Sequence, residues 1–489
     1  SGLFASLVAR VALTSAGSAA SQRIRHLTGW LWVMLIRGPA FSHLPACFTI
    51  GQSLLRQVFT DPVYQPWHRR VWAMSLPIML SNASTPLLGM VDTAVVGHLD
   101  EPHYLGAVAL GSMMFSLLFW SFGFLRMGTT GLAAQSRGAG DHDEVRAHLA
   151  RALMIAGVIG LALIALQTPL AWIAFNLADA SDAVTQEGQA YFSARIWGAP
   201  ATLANYCLMG WFLALNRTSY ILVLQLFLNG TNILFDLIFV IGFEMTADGV
   251  GYASVLAEYS AFFVGALLTI RLLKKSPGKL QPQNLANAIA LKRLFAVNRD
   301  LMIRTFCLQI GFLWFTAQGG QIDDTTLAAN AVLMQLQTFM AFALDGFAYT
   351  AESLTGEAKG AENRDEFDAA VIVSTLWALG FSALFALAYW FGGQFIINLL
   401  TDLPEVRALA GQFLIYAILL PILSVPSFQL DGIFIGTTET KALRNAMVLS
   451  LLTFLVAGYA LMPMIGNHGL WLAFTIFMTM RAVTLGIAY

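Results

Sequence analysis

The sequence of 489 residues has little charge, because its 27 basic and 28 acidic side chains make up 11% of it where soluble proteins carry roughly 25%. This scarcity excludes an ordinary soluble protein, and a net charge of −1 gives no basic surface for nucleic acid. The three cysteines lie far apart, so neither a disulfide framework nor a metal site is indicated. P-loop, HExxH and GxSxG motifs are also lacking, so we expect no enzyme and no ATP-driven step.

Long apolar segments recur instead from about Trp67 onward. In a bilayer the backbone amides must be satisfied within a helix or a closed barrel, and the alternating polarity of barrel strands is absent. We therefore predict twelve spans, each near the roughly 20 residues that cross a bilayer or longer. Their limits are 70–98, 104–128, 147–176, 186–214, 218–243, 250–273, 296–320, 327–355, 367–400, 404–434, 442–465 and 468–489.

Lys and Arg concentrate in alternate loops, whereas the other loops carry mainly Asp and Glu, with Arg407 as an exception. Basic residues near span ends stay in the cytoplasm, so an even number of spans places both termini there. The bacterial inner membrane is the expected location.

The sequence also contains a long internal repeat. Gly138 and Glu144 recur as Gly360 and Glu366, and Gly210 recurs as Gly432, each pair 222 positions apart. The offset equals six spans and predicts an all-α polytopic membrane protein with two six-helix lobes, related by a pseudo-two-fold axis along the membrane normal. The predicted lobes are 66–273 and 296–489, joined by a cytoplasmic linker at 274–295.

Residues 1–65 contain many Ser and Ala, five Arg and no acid before Asp61. This composition fits a transit peptide or sequence translated upstream of the true start, of which we favour the second. We expect this extension to lie outside the fold.

Acidic residues within spans are the candidates for chemistry. A charged Asp at the centre of a membrane helix costs about 2.5–3.5 kcal/mol, so such a residue usually faces a cavity, a partner or an ion path. Five acids fulfil this condition: Asp92, Asp236, Asp345, Glu352 and Asp431.

Asp92 follows Pro77 and Pro86 in the first span, and prolines allow a helix to bend. This arrangement predicts a protonation-controlled gate, with a simple cap at the helix end as the alternative. Asn232 lies one helical turn before Asp236, so the two form a candidate proton or sodium site. An Asn–Asp hydrogen bond that joins two helices is the alternative.

The second half offers less specific candidates. Asp345 and Glu352 are two helical turns apart on one face, and Asp431 precedes the repeated Gly432. The sequence leaves open whether these acids bind cations, relay protons or satisfy backbone amides. Glu258 and Arg195 are interpreted as structural residues that neutralise each other or other charges.

Four sequence strings carry a family resemblance. They are LSNASTPLLGMVDTAVVGHL, LGAVALGSMMFSLLFWSFGFLRMGTTGLAAQSRGAG, LDGFAYTAESLTGEAKGA and LDGIFIGTTETKALRNAM. With the two-lobe layout, they resemble the multidrug and toxic compound extrusion family over residues 66–489, and in particular its branch of DNA-damage-inducible protein F relatives.

The resemblance implies antiport of a cation against organic cations, amphiphiles or other toxic compounds, by alternating access and without a cofactor. The positions that match the family's coupling site are Asp92, Tyr191, Asn232, Asp236 and Ser254. Sodium could bind at all of these except Tyr191. The region around Trp314 lacks the acid that other branches carry, which favours protons. The partners expected are the small-molecule substrate and the lipid bilayer, with no nucleic acid, for a monomeric protein.

A flippase for lipid-linked molecules or other amphiphiles remains the alternative. It would need a large basic cavity to hold a phosphate headgroup, and the spans offer mainly Arg126, Arg195 and Arg304.

Overall fold

The computed structural model describes residues 58–97, 101–178 and 180–489, without the side chains at 87, 88, 90, 92, 93, 96 and 102. Within these residues the regular structure is helical and contains no strand. The first repeat contains α1 Gln65–Val96, α2 Pro102–Ser121, α3 Phe124–Gly138, α4 His142–Ala165, α5 Gln167–Ala178, α6 Asp182–Arg195, a 3₁₀ turn Ile196–Gly198, α7 Ala199–Ala214, α8 Thr218–Asp236, a π-helical segment Leu237–Gly242 and α9 Ala247–Lys275. The rest of the chain forms α10 Pro282–Leu285, α11 Ala288–Ile322, α12 Asp324–Gly360, α13 Arg364–Leu400, α14 Pro404–Gly436, α15 Thr440–Ile465 and α16 Asn467–Ala488.

Within the described residues, nine helical segments are long and apolar enough to cross a membrane. The other three predicted spans correspond to α1, to the pair α6 and α7, and to α11. Helices α1 and α11 contain 32 and 35 residues, enough to cross a bilayer, but both carry charged residues near their starts. The fourth span is divided between α6 and α7 by the 3₁₀ turn, which shortens each part.

The helices form two compact units. Unit N contains Leu76–Ile310 and Thr438–Arg444, and unit C contains the described residues up to Ser75, Gly311–Thr437 and Asn445–Tyr489. The division passes through α1 and α11, which the predicted lobes assign whole to one half. The predicted lobe boundaries therefore differ from the packing for the first turns of α1 and for the part of α11 up to Ile310.

Side-chain contacts explain why the first turns of α1 belong to unit C. Arg70 forms an ion pair with Glu357 at 2.6 Å. The hydroxyls of Ser75 and Thr350 lie 2.8 Å apart. Trp72 also packs edge-on against the rings of α12 and α13. These contacts hold the start of α1 against α12 and α13.

The part of α11 before Gly311 belongs to unit N, and Gln309 makes contacts there. The Gln309 side-chain amide donates to the Leu117 carbonyl at 3.1 Å and accepts from the Ser121 hydroxyl at 3.1 Å. Gln309 is buried. Its two hydrogen bonds therefore satisfy an amide that would be costly to bury alone.

The prediction that residues 1–65 lie outside the fold is wrong for residues 58–65. Val58 and Tyr64 are buried, the Val58 carbonyl lies 3.1 Å from His68 Nε2, and Phe59 stacks on His68. Burial of these apolar groups accounts for the packing of this segment. The remainder of the predicted extension lies outside the described residues.

The predicted linker also differs at its end, because α11 begins at Ala288. The preceding part is held against α4 by polar contacts. Arg146 Nη2 donates to the carbonyls of Leu273 and Ser276 at 2.6 and 2.7 Å. The Lys279 amide donates to the Asp143 carboxylate at 2.6 Å. The connection is thus an ordered part of unit N.

The internal repeat is visible in local structure. Asp141 caps α4 by accepting from the Glu144 amide at 2.9 Å. Asn363 caps α13 by accepting from the Glu366 amide at 3.2 Å. Both cap residues are separated by the predicted 222 positions. Each cap satisfies an amide that the first helical turn leaves unpaired.

The helix ends repeat in the same way. Asn216 and Thr438, again 222 positions apart, both have a φ of 55° just after α7 and α14. Arg137 donates to the Ala214 carbonyl at 3.1 Å, and Lys359 donates to the Thr437 carbonyl at 2.8 Å. A basic side chain therefore caps the helix end in both repeats, which the helix dipole favours.

Candidate functional site

Unit N contains an open cavity of about 480 Å³ between its helices, a volume within the roughly 300–1,000 Å³ of small-molecule sites. The walls carry aromatic rings, hydroxyls and amides with few charges. The lining residues are Thr85, Gly89, Ser112, Phe115, Ser116, Phe119, Trp120, Tyr191, Arg195, Thr202, Asn205, Tyr206, Met209, Leu224, Gln225, Leu228, Asn232, Ser254, Glu258 and Ala261.

Three of the predicted coupling residues meet at this cavity. Tyr191, Asn232 and Ser254 all line it, and the Asn232 amide lies 3.4 Å from the Ser254 hydroxyl. The Tyr191 hydroxyl lies 3.2 Å from that of Ser112. The arrangement places a phenol, an amide and a hydroxyl where a solute or an ion can reach them.

The position of Tyr191 is set by close packing against α2. A Cβ on Gly111 would overlap the Tyr191 ring, so only glycine leaves room for the ring there. The Phe115 ring meets the ring of Tyr191 edge-on at 6.1 Å between centroids. The tyrosine is thus fixed between α2 and its own helix, with its hydroxyl toward Ser112.

Asp236 lies one helical turn beyond Asn232 and is completely buried. It is the last residue of α8, where the α-helix changes to the π-helical segment Leu237–Gly242. Such π segments are rare in proteins, and those that occur often lie at functional sites. Asp236 is not one of the residues that line the cavity.

Asp92 belongs to α1, but its side chain is outside the described part of the structure. Pro77 and Pro86 both lie inside α1, which continues through them. The protonation-controlled gate in α1, predicted from Asp92, Pro77 and Pro86, therefore stays a prediction. Thr85 and Gly89 of the same helix do line the cavity.

Arg195 and Glu258, predicted from the sequence to be structural residues, give the cavity its charge. Arg195 Nη2 lies 3.5 Å from Glu258 Oε1, and their side chains are 11% and 10% exposed. The guanidinium also lies 5.7 and 5.3 Å from the ring centroids of Phe115 and Phe119. Glu258 is an acid within a span, the same signal that singled out Asp236, but the sequence could not show that it faces a cavity.

The three second-half candidates lie in unit C. Glu352 is completely buried and Asp345 is half-buried, both on α12. Asp431 is buried on α14 and accepts a hydrogen bond of 2.5 Å from Arg481 Nη2 of α16. The sequence pattern does not point to Arg481, because a single charge in the last span has no partner in the linear sequence. A transport role for these acids remains a prediction.

The repeat, the apolar helices and the cavity of unit N define a multi-pass membrane transporter of two six-span halves. The MatE family model matches residues 77–238 and 301–461. The chain belongs to this family, the multidrug and toxic compound extrusion transporters, whose members are ion-coupled and carry small molecules.

The relatives agree with this assignment. The chain is 39% identical over 425 residues to DNA damage-inducible protein F of Escherichia coli, which covers 85% of this chain and 91% of that protein. It is 22% identical to the probable multidrug resistance protein NorM of Geobacillus kaustophilus, over 84% of this chain and 92% of the relative.

A solved structure shows the same fold. The chain superposes on a MATE transporter of Vibrio cholerae with a TM-score of 0.76 and 19% identity, over 88% of this chain and 96% of the other. The predicted fold class and family, including the DNA-damage-inducible protein F branch, are thereby confirmed.

Proposed function

We propose that this protein is a secondary active exporter that exchanges protons for organic cations or other toxic compounds by alternating access. Sodium is the alternative coupling ion. The observation that carries the proposal is the cavity of unit N, which Tyr191, Asn232 and Ser254 line, with buried Asp236 one helical turn beyond Asn232. The expected setting is the bacterial inner membrane, with both termini in the cytoplasm and the protein as a monomer.

In the proposed cycle, protons reach Asp92 and Asp236 and neutralise their carboxylates. Loss of charge lets α1 bend at Pro86, and the bend displaces the bound solute outward. Release of the protons to the inside restores the charged site. Each net unit charge that moves inward in the exchange yields about 2.3 kcal/mol per 100 mV, which supports a concentration ratio of roughly fiftyfold at 100 mV.

Transport by the purified full chain in lipid vesicles tests the proposal. The probe is the organic cation ethidium, with a pH gradient and a sodium gradient applied separately. The Asp92→Asn variant should abolish movement driven by the pH gradient. Asp324→Asn, which changes an exposed acid in the first turn of α12, serves as the matched control. Normal transport by the Asp92→Asn variant defeats the proposed mechanism, and a response to sodium alone assigns the coupling to sodium.

The flippase alternative receives no support from the cavity. Among the described residues that line it, Arg195 is the one guanidinium, and Glu258 lies beside it. A phosphate headgroup would need a larger excess of positive charge.

A further inference from the structure

The cavity-facing pair of Arg195 and Glu258 differs from the tighter ion pairs of this protein. Arg151 and Glu144 approach to 2.6 Å, and Arg481 and Asp431 approach to 2.5 Å. The nearest oxygen and nitrogen of Arg195 and Glu258 are 3.5 Å apart. A pair that served only to neutralise buried charge would be expected to close to a short hydrogen bond.

Glu258 is held mainly by another partner. Asn205 Nδ2 donates to Glu258 Oε2 at 2.8 Å and to the Glu258 backbone carbonyl at 3.0 Å. One carboxylate oxygen is therefore fixed on the side of Asn205, and the other makes only the long contact with Arg195. The geometry leaves the guanidinium weakly engaged by its acidic neighbour.

The guanidinium is nevertheless held in place. It lies over the rings of Phe115 and Phe119, a cation–π arrangement. A Cβ on Gly198 would come within 2.7 Å of Arg195 Nη1. Glycine at this position thus gives Nη1 the room it occupies.

The Nη1 group of Arg195 is buried and has no hydrogen-bond partner among the described residues. A buried charged donor without an acceptor is costly, so a ligand that supplies an acceptor gains that energy on binding. Arg195 lines the cavity, where such a ligand would enter. A carboxylate matches the fork of donors that a guanidinium presents.

We propose that Arg195 is a substrate-binding residue that accepts the carboxylate of an aromatic amphiphile, and that Glu258 competes with the ligand for the guanidinium. The inference rests on the proposed export function and adds anionic aromatic amphiphiles to its substrate class. Phe115 and Phe119 would then contact the apolar body of the ligand. The cavity accordingly selects solutes with an anionic group as well as the cations that the family resemblance implies.

Equilibrium binding of two matched probes to the full chain in neutral phosphatidylcholine nanodiscs tests this inference. The probes are 1-pyrenebutanoate and 1-pyrenebutyl-trimethylammonium, which share a ring and differ in charge. Energy transfer from tryptophan to the pyrene ring reports binding, because Trp120 lies in the cavity wall. The signal from empty nanodiscs is subtracted. No ion gradient is applied.

Arg195→Gln should weaken pyrenebutanoate binding about tenfold or more, the loss expected for one charge-assisted hydrogen bond. Glu258→Gln keeps an acceptor for Asn205 but removes the competing charge, so the same probe should bind several-fold more tightly. Gly198→Ala retains all charges and displaces the guanidinium, so binding should weaken. The melting temperature of each variant monitors folding.

Opposite signs for Arg195→Gln and Glu258→Gln are the outcome that supports the inference. Equal weakening by both variants would make the pair purely structural and overturn it, as would unchanged binding to Arg195→Gln. Should Arg195→Gln not fold, Glu258→Gln and Gly198→Ala decide the question by their opposite signs. If phosphatidylglycerol added to the nanodiscs displaced pyrenebutanoate, the site would be assigned to a lipid headgroup, and the inference would also be overturned.

This binding test is separable from the test of the proposed function. If ethidium is transported in response to a gradient but pyrenebutanoate does not bind, only the inference about Arg195 is overturned. Binding that depends on Arg195 without any gradient-driven transport would leave the site intact and sink the antiport proposal.

Discussion

Gly432 packs directly on the backbone carbonyl of Ala348, so closely that a Cβ at position 432 would overlap the oxygen. Gly210 packs on the carbonyl of Arg126 in the same way. Gly210 and Gly432 are 222 positions apart, and so are Arg126 and Ala348, whose carbonyls they contact. The repeated glycine is thus the residue that lets two helices approach closely in each half of the chain.

Gly210→Ala and Gly432→Ala should each lower stability by about 1–3 kcal/mol, because the added methyl group meets backbone that cannot move aside. Thermal unfolding in detergent measures the effect. Gly157→Ala and Gly230→Ala are matched controls, since a Cβ at either position would have no atom within 4 Å. Equal melting temperatures for the two pairs of variants would contradict the packing argument.

Arg481→Met should destabilise the protein by about 3–5 kcal/mol, because it leaves the Asp431 carboxylate buried without its cation. The double variant Asp431→Leu with Arg481→Met removes both charges and should recover most of this loss. Thermal unfolding of the two variants and the parent gives the comparison. A double variant no more stable than Arg481→Met would show that the pair is not the source of the effect.

Tyr191→Phe should reduce transport about fivefold, the value of roughly one hydrogen bond, while the melting temperature stays unchanged. The ring still fills the space beside Gly111, and only the hydroxyl near Ser112 is lost. Ethidium efflux from vesicles provides the rate. Tyr252→Phe, at an exposed position on α9, is the control. Identical transport by both variants would remove the Tyr191 hydroxyl from the site.

Tyr64→Phe should make the protein less sensitive to alkaline pH. Burial, with a contribution from Asp61, raises the pKa of Tyr64 from 10.0 to about 12. The folded state therefore retains a proton that the unfolded state loses, and stability falls between about pH 10 and pH 12. This loss is absent below the unfolded pKa.

The difference in melting temperature between pH 9 and pH 11 measures this contribution. Phenylalanine keeps the buried ring and has no titrating group, so Tyr64→Phe should show the smaller difference. The other tyrosines and lysines titrate in both proteins and cancel in the comparison. An equal difference in both proteins would mean that Tyr64 is not buried against the fold.

The sequence alone determined the helical membrane class, the repeat and its offset of 222. These features can be read directly along the chain, because the length of an apolar run matches the bilayer thickness and a fixed offset indicates an internal duplication. The sequence also identified Tyr191, Asn232 and Ser254, which the structure brings to one cavity. It did so through motif resemblance, since their spacing spans three different helices.

Only the tertiary structure showed that residues 58–65 pack against the fold and that α1 and α11 are each divided between the two units. It alone also showed that Arg195 and Glu258 face the cavity. These depend on contacts between residues far apart in the chain. In the linear sequence, a charge that neutralises a buried partner and a charge that waits for a ligand look alike. The two are told apart by the distance to the partner and by the empty space beside it.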